Sequence, residues 1–275
     1  MKKILIACIL SLFIFSCKEK IDLKLDSSYT RLVVEGCITE ETKVHTVTLS
    51  LSADYLSNQA PIMLQNANVT LVEKTSTGEN TFVLNENTPG RYQTLPAFKG
   101  TIGNSYKIII ENVSIDGKTQ NYESGYELIH NPIPLDSCRA EYNPGFDAWA
   151  ILVSFRDRAS TKDNYMFRYN INGTPQNDTI SSIPATNDEF FNGMYIKATA
   201  LHWNIPKLQT GDTITEVMSI ISKEYLAFAQ NINASGSSGI PLFSGPPANV
   251  KGKINNGALG YFTAYASSKA YYVVK

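Results

Sequence analysis

Four carboxylates in the second half of the chain, Asp147, Asp157, Asp163 and Glu189, are the residues whose type suits acid–base chemistry. Glycoside hydrolysis needs two such groups flanking the scissile bond, one giving a proton and the other acting as base or nucleophile. The run from Asp157-Arg158 to Asp163 also offers oxygen ligands for Ca²⁺, without the spacing of a recognised Ca²⁺ loop. His45, His130 and His202 lie far apart and form neither an HExxH nor a His/Cys motif. Each reads as a solvated or hydrogen-bonded strand residue. Ser235-Gly236-Ser237-Ser238-Gly239 fails the spacing of a nucleophile elbow, and no strand feeds it directly into a helix. No catalytic residue, metal site or cofactor is therefore expected.

The cysteines carry more information. Lys2 and Lys3 precede an apolar run over 4–15, and the small residue Ser16 stands directly before Cys17. A basic end, a short apolar stretch and a small residue at the cut site make a secretory signal. The run is shorter than the ~20 apolar residues that a spanning helix needs. Ile14-Phe15-Ser16-Cys17 resembles a bacterial lipobox, whose cysteine thiol takes a diacylglyceryl group and becomes the new amino terminus. The expected organisation is a lipoprotein signal over 1–16 and a lipidated tether over 17–30. Cys8 leaves with the signal and Cys17 takes lipid, so Cys37 and Cys138 remain. Outside the cytoplasm they form either a disulfide or two buried free thiols.

Removing 1–16 takes Lys2 and Lys3 away and leaves 22 basic against 25 acidic residues, a net charge of −3. That balance gives no basic stripe for nucleic acid, and attachment to a membrane then falls to acyl chains. Two matches to an Asp-Thr-Ile pattern, at Asp178-Thr179 and Asp212-Thr213, resemble an O-glycosylation sequon.

The elements that hold these residues are strands. Val44 to Leu51 alternates for much of its length, the pattern of a strand with one buried face. Leu32 to Ile38, Ala67 to Val72, Phe82 to Leu84, Tyr106 to Ile110 and Gln120 to Ser124 complete a first set, with Asp116-Gly117 as a hairpin turn. Strands at this spacing predict a β-sandwich over 31–130. His130-Asn131-Pro132-Ile133-Pro134 is a stiff link. Beyond it a second β-rich domain, 131–275, is expected to use 149–155, 164–171, 190–198, 213–220, 258–266 and 271–274 as strands. Asn172-Gly173 is a second hairpin turn. The one short helix, near 223–231, has Ser222 as its N-cap and Glu224 in its first turn. Leu226, Ala229 and Gln230 are expected to cover a sheet, and Trp149 and Trp203 to sit in the core. The dense Gly and Pro residues from 236 to 260, with Pro241, Phe243, Gly245, Pro246 and Pro247, read either as a docking loop or as the closure of the second sheet.

Three stretches resemble one family. They are Val33-Val34-Glu35-Gly36, Ile221-Ser222-Lys223-Glu224-Tyr225, and the closing block from Leu242-Phe243-Ser244-Gly245-Pro246-Pro247 to Asn256-Gly257-Ala258-Leu259-Gly260-Tyr261-Phe262. Together they resemble the Bacteroidota lipoproteins of the domain of unknown function numbered 4249. The family's usual Asn is Lys253 here. The first sandwich is similar to immunoglobulin- or transthyretin-like sandwiches. The family resemblance implies a lipid-anchored outer-membrane protein, often encoded beside TonB-dependent transporters, and carries over no catalytic residue. Lys18-Glu19-Lys20 resembles the charged signals that send such proteins to the cell surface. Three functions are thus in play: a non-enzymatic binding accessory of a TonB-dependent barrel, a structural or adhesive surface lipoprotein, and a glycan-degrading enzyme.

Overall fold

The structure is a computed structural model that describes residues 30–52, 60–205, 207–236, 250 and 252–275. Cys17 and the candidate loop residues Pro241, Phe243, Gly245, Pro246 and Pro247 lie outside the described residues. The fold is mainly β. Eight strands precede the Pro-rich link: β1 (Leu32–Thr39), β2 (Thr46–Leu51), β3 (Asn68–Lys74), β4 (Glu79–Thr88), β5 (Arg91–Gln93), β6 (Ser105–Ile115), β7 (Lys118–Glu123) and β8 (Glu127–Leu128). Eight follow it: β9 (Leu135–Asn143), β10 (Ala148–Arg156), β11 (Asn164–Ile171), β12 (Thr174–Pro175), β13 (Ala185–Asn187), β14 (Tyr195–Ile205), β15 (Thr213–Ile220) and β16 (Leu259–Val273). One 3₁₀ turn, Ile180–Ser182, and one helix, α1 (Lys223–Gly236), complete the described elements.

A large sheet runs β12-β11-β15-β16-β1-β2-β5-β4-β3-β6-β7, and a three-stranded sheet runs β14-β10-β9. β4 is the corner of the large sheet. Its first half pairs with β3 and its second half with β5. The sheet thereby folds over a core made by Val34, Val47 and Leu49 on one side and Leu71, Tyr106, Ile108 and Ile110 on the other. Alternation explains this burial: Val47 and Leu49 of β2 are covered while Thr46 and Thr48 are less so. A second core lies between β11, β15 and the three-stranded sheet, filled by Tyr165, Phe167, Ile151, Val153, Phe155 and Met218.

β16 belongs to both layers. It pairs in parallel with β1, the one parallel ladder among the described residues, and antiparallel with β15. Phe262, Ala264 and Ala266 face the first core, while Ala270 and Val274 reach the second. The segments expected at 258–266 and 271–274 are thus one 15-residue strand. The Pro-rich link falls between β8 and β9, and the layers on either side share β16.

Glycine lets the C-terminal strand approach so closely. Gly260 has φ +84°, and a Cβ there would stand 2.0 Å from the Val34 carbonyl oxygen. A Cβ on Gly252 would meet the Gly260 carbonyl oxygen at 1.6 Å. Both hairpin turns form as the sequence predicts, with left-handed φ at Asp116 and Gly117 and at Asn172 and Gly173.

α1 starts where expected and runs to Gly236. The Ser222 hydroxyl accepts the Tyr225 backbone N–H at 3.1 Å and donates to Glu127 Oε2 at 2.7 Å. Leu226, Phe228 and Ala229 are the buried face, with Gln230 exposed in place of its expected burial. Phe228 lies 5.1 Å from the Tyr261 ring on β16. Among the described residues no helix is long and apolar enough to cross a membrane.

Candidate functional site

Three strand ends converge at one edge of the second core. Asp157 follows β10 directly, Asp163 immediately precedes β11, and Asp188 follows β13. One oxygen from each lies within 4.8 Å of the others, and all three residues are buried. Asp157 and Asp163, two of the four sequence candidates, therefore do meet. Asp147 sits in the turn at the opposite end of β10, where the Tyr142 hydroxyl donates to it, and Glu189 is exposed. Asp188 is the member the sequence reading missed. Its signal is faint, a single aspartate at the end of a three-residue strand.

The donors around these carboxylates decide what they can do. The Tyr165 hydroxyl donates to Asp157 Oδ1, and the Gly193 N–H donates to Asp157 Oδ2 at 2.6 Å. Arg158 grips Asp163 with both edges of its guanidinium, Nη2 to Oδ1 at 2.6 Å and Nε to Oδ2 at 3.2 Å. The Thr161 hydroxyl adds a 2.6 Å bond to Oδ2, and the Asp163 N–H donates to Asp188 Oδ2 at 2.7 Å. Burial, reinforced by Asp157, raises the Tyr165 pKa, so the phenol keeps its proton. The Asp163 hydrogen bond raises that of Arg158. Three acceptor groups of this kind suit a hard cation such as Ca²⁺. Here protein donors already hold them, and a guanidinium stands where a cation's charge would be needed. The cluster acts as a polar knot that ties three strand ends together.

A second buried set lies inside the second core. His202 Nε2 is 3.1 Å from Glu216 Oε1, and the Tyr169 ring centre lies 4.5 Å from that of the imidazole, tilted by 45°. Glu216 is 0 % exposed, and its Oε2 has no partner. Burial raises the Glu216 pKa against the opposing pull of His202. Cys138, in the same core, is a free thiol that burial pushes up to about 11. Such a thiol is unreactive. Cys37 is also free and half-buried, against a different cluster beneath α1. Of the two alternatives for this pair, free thiols are therefore what the fold has: the cysteines are committed to separate clusters.

Trp203 is a correction. It is 59 % exposed, because it pairs with Ala150 while its neighbour His202 takes the inward position opposite Ile151. Trp149 packs against the second core as expected. Thr179 and Thr213, the two candidate glycosylation sites, are both exposed. The Thr213 hydroxyl donates to Asn172 Oδ1 at 3.2 Å.

The family model described as domain of unknown function (DUF4249) matches residues 18–270. The chain belongs to the DUF4249 family. A search of curated proteins gives no match. The match takes in residues of both sheets and runs to residue 270, so the part of β16 that pairs with β1 lies inside the DUF4249 domain. Every carboxylate of the polar knot lies inside it as well.

Proposed function

We propose that this DUF4249 chain is a lipoprotein held at the outer membrane through acyl chains on Cys17, where it serves as a non-enzymatic binding accessory of a TonB-dependent transporter. The observation that carries this reading is Ile14-Phe15-Ser16-Cys17 behind a short apolar run with two leading lysines. Two or three acyl chains hold a protein stably where one does not, so this motif is sufficient to attach a β-rich body to a bilayer. The fold suits such a role. Its candidate acidic cluster is engaged by protein donors, and the exposed Trp203, Tyr195 and Phe190 lie outside the cores. Exposed aromatic side chains of this kind serve partner surfaces. Lys18-Glu19-Lys20 directly behind the lipid site is consistent with display on the cell surface.

The test is purification from the native envelope in mild detergent, with the chain tagged at its carboxyl end. Co-purification of a large TonB-dependent barrel is the expected result. Recovery of the chain without a transporter across several nutrient conditions would remove the accessory role and favour the structural or adhesive one.

A further inference from the structure

One polar bridge crosses the second core. His202 of β14 and Glu216 of β15 meet there at 3.1 Å, 5 % and 0 % exposed. Among the described residues this is the one hydrogen bond between side chains that joins a strand of the three-stranded sheet to a strand of the large sheet. The two strands are held unequally. β15 lies inside its sheet, with Tyr169 of β11 and Ala270 of β16 opposite Glu216. β14 is an outer strand that pairs with β10 alone. Its register against β10 shifts at three places, and Ala198 and Asn204 take left-handed φ of +48° and +55°.

The side chains around the pair hold no charge at neutral pH. β9 contributes Cys138, whose thiol burial pushes up to about 11, and β11 contributes Tyr169, whose phenol burial also raises. β10 adds Ile151, Val153 and Phe155, and β16 adds Ala270. His202 is the one ionisable neighbour that favours the Glu216 carboxylate. The pair can hold two protons, one or none. With one proton it is either uncharged or a pair of opposite charges in contact. With two, an imidazolium stands beside a neutral acid; with none, a carboxylate stands alone with Oε2 unbonded. Each of those two states leaves a single charge out of water without an opposing one, which is costly.

We propose that this pair is a proton-sensitive clasp, through which the three-stranded sheet closes over the large sheet with uptake of one proton and opens as the pH rises. The sign follows from the open state. There His202 and Glu216 meet water and take their ordinary values, about 6.5 and 4.3. Between those values the open pair holds one proton, as the closed pair does, and the pH has little effect. Above about 6.5 the open pair holds fewer protons than the closed one, so the open fraction grows, about fivefold from pH 6.5 to pH 7.5. The closed pair keeps its proton through that interval, because a lone carboxylate buried this deeply ionises only at roughly pH 8–9. Trp203 is the next residue on β14, so the clasp also holds the strand that carries this exposed ring. The inference concerns the folded body alone and does not depend on the anchor or on a transporter.

Cys138 gives the readout, since it lies in the second core and is buried while the clasp is closed. In the detergent-solubilised full chain, at one sub-denaturing urea concentration, alkylation of Cys138 by iodoacetamide is followed by peptide mass spectrometry from about pH 6.5 to 7.5. Glu216→Gln keeps the shape of the side chain and removes its titration. Dividing the wild-type rate by the variant rate cancels the pH dependence of the thiol itself, and this ratio should rise about tenfold over the interval. Glu216→Met, which fills the same place with an apolar chain, should give the same rise if the Gln variant does not fold. A ratio that stays flat overturns the proposal, as does a wild-type Cys138 that resists alkylation throughout. Cys37, which belongs to the cluster beneath α1, is the control. A matching rise at Cys37 would assign the effect to unfolding of the whole chain and overturn the clasp.

Discussion

Glu127 is where the sequence-distant parts of this fold are fastened, and replacing it by alanine should be severe. Its carboxylate is fully buried. Oε1 accepts from Lys253 Nζ at 3.0 Å and from the Tyr261 hydroxyl at 2.9 Å, while Oε2 accepts from the N-cap hydroxyl of Ser222 at 2.7 Å. One side chain on β8 thus joins the start of α1, the start of β16 and the residue before Ile254. Truncating a buried, paired charge costs about 3–5 kcal/mol. Lys253 keeps 34 % of its side chain exposed and can recover water, so the lower end applies, about 3 kcal/mol. Most of that comes from the Tyr261 and Ser222 hydroxyls, each left unsatisfied at about 1–3 kcal/mol, with overlap between them. For a chain of this size the melting temperature should fall by roughly 6–12 °C. Glu127→Gln, which keeps the shape and one acceptor, should lose less than half of that. Urea unfolding of the two variants beside the wild type measures it. A loss below about 0.5 kcal/mol for Glu127→Ala, the range of ordinary surface changes, would refute the reasoning.

Three further outcomes follow from the same geometry. Gly260→Ala should unfold or strongly destabilise the protein, because its Cβ would stand 2.0 Å from backbone at a left-handed φ; circular dichroism melting checks it, with Gly117→Ala, where a Cβ meets nothing within 4 Å, as the milder control. Burial, helped by Lys43, holds the His45 imidazole below its ordinary value of 6.5. The unfolded chain therefore binds more protons than the folded one below about pH 6.5, so stability should fall as pH drops through that window and level off under the folded value. His45→Gln should flatten that part of the profile in pH-resolved denaturant titrations. Chelators should leave the melting temperature unmoved, whereas Arg158→Met should lower stability by about 3 kcal/mol by stranding Asp163; stabilisation of the wild type by added Ca²⁺ would contradict the polar-knot reading.

Much of the strand content was legible because local rules settled it. Alternation placed β2, Asn172-Gly173 and Asp116-Gly117 placed two hairpins, and Ser222 placed the start of α1. Failures came where tertiary contacts override the local pattern. Phe190 to Ala198 reads as a strand, yet Asp188, held by the Asp163 N–H, turns the chain there and β14 begins only at Tyr195. β9 was missed because Asp136, Ser137, Arg139 and Glu141 dilute its apolar positions, Leu135, Cys138 and Ala140. Trp203 was expected inside since size and apolarity usually decide burial, but the register of β14 gives that place to His202. Pairing of β1 with β16 joins residues more than two hundred positions apart, and no window of sequence encodes it. The acidic cluster was half legible for the same reason: Asp157 and Asp163 are neighbours along one loop, while Asp188 arrives from another strand.

The claim that the chain works from a lipid anchor at Cys17 is open to one direct measurement. Mass spectrometry of the amino-terminal peptide, taken from protein isolated out of the native membrane, reads the modification without any assay of function. The account predicts a peptide beginning at Cys17 and carrying a diacylglyceryl thioether with or without a further amide-linked acyl chain. A mature chain that begins elsewhere, or an unmodified Cys17 at its start, would contradict it.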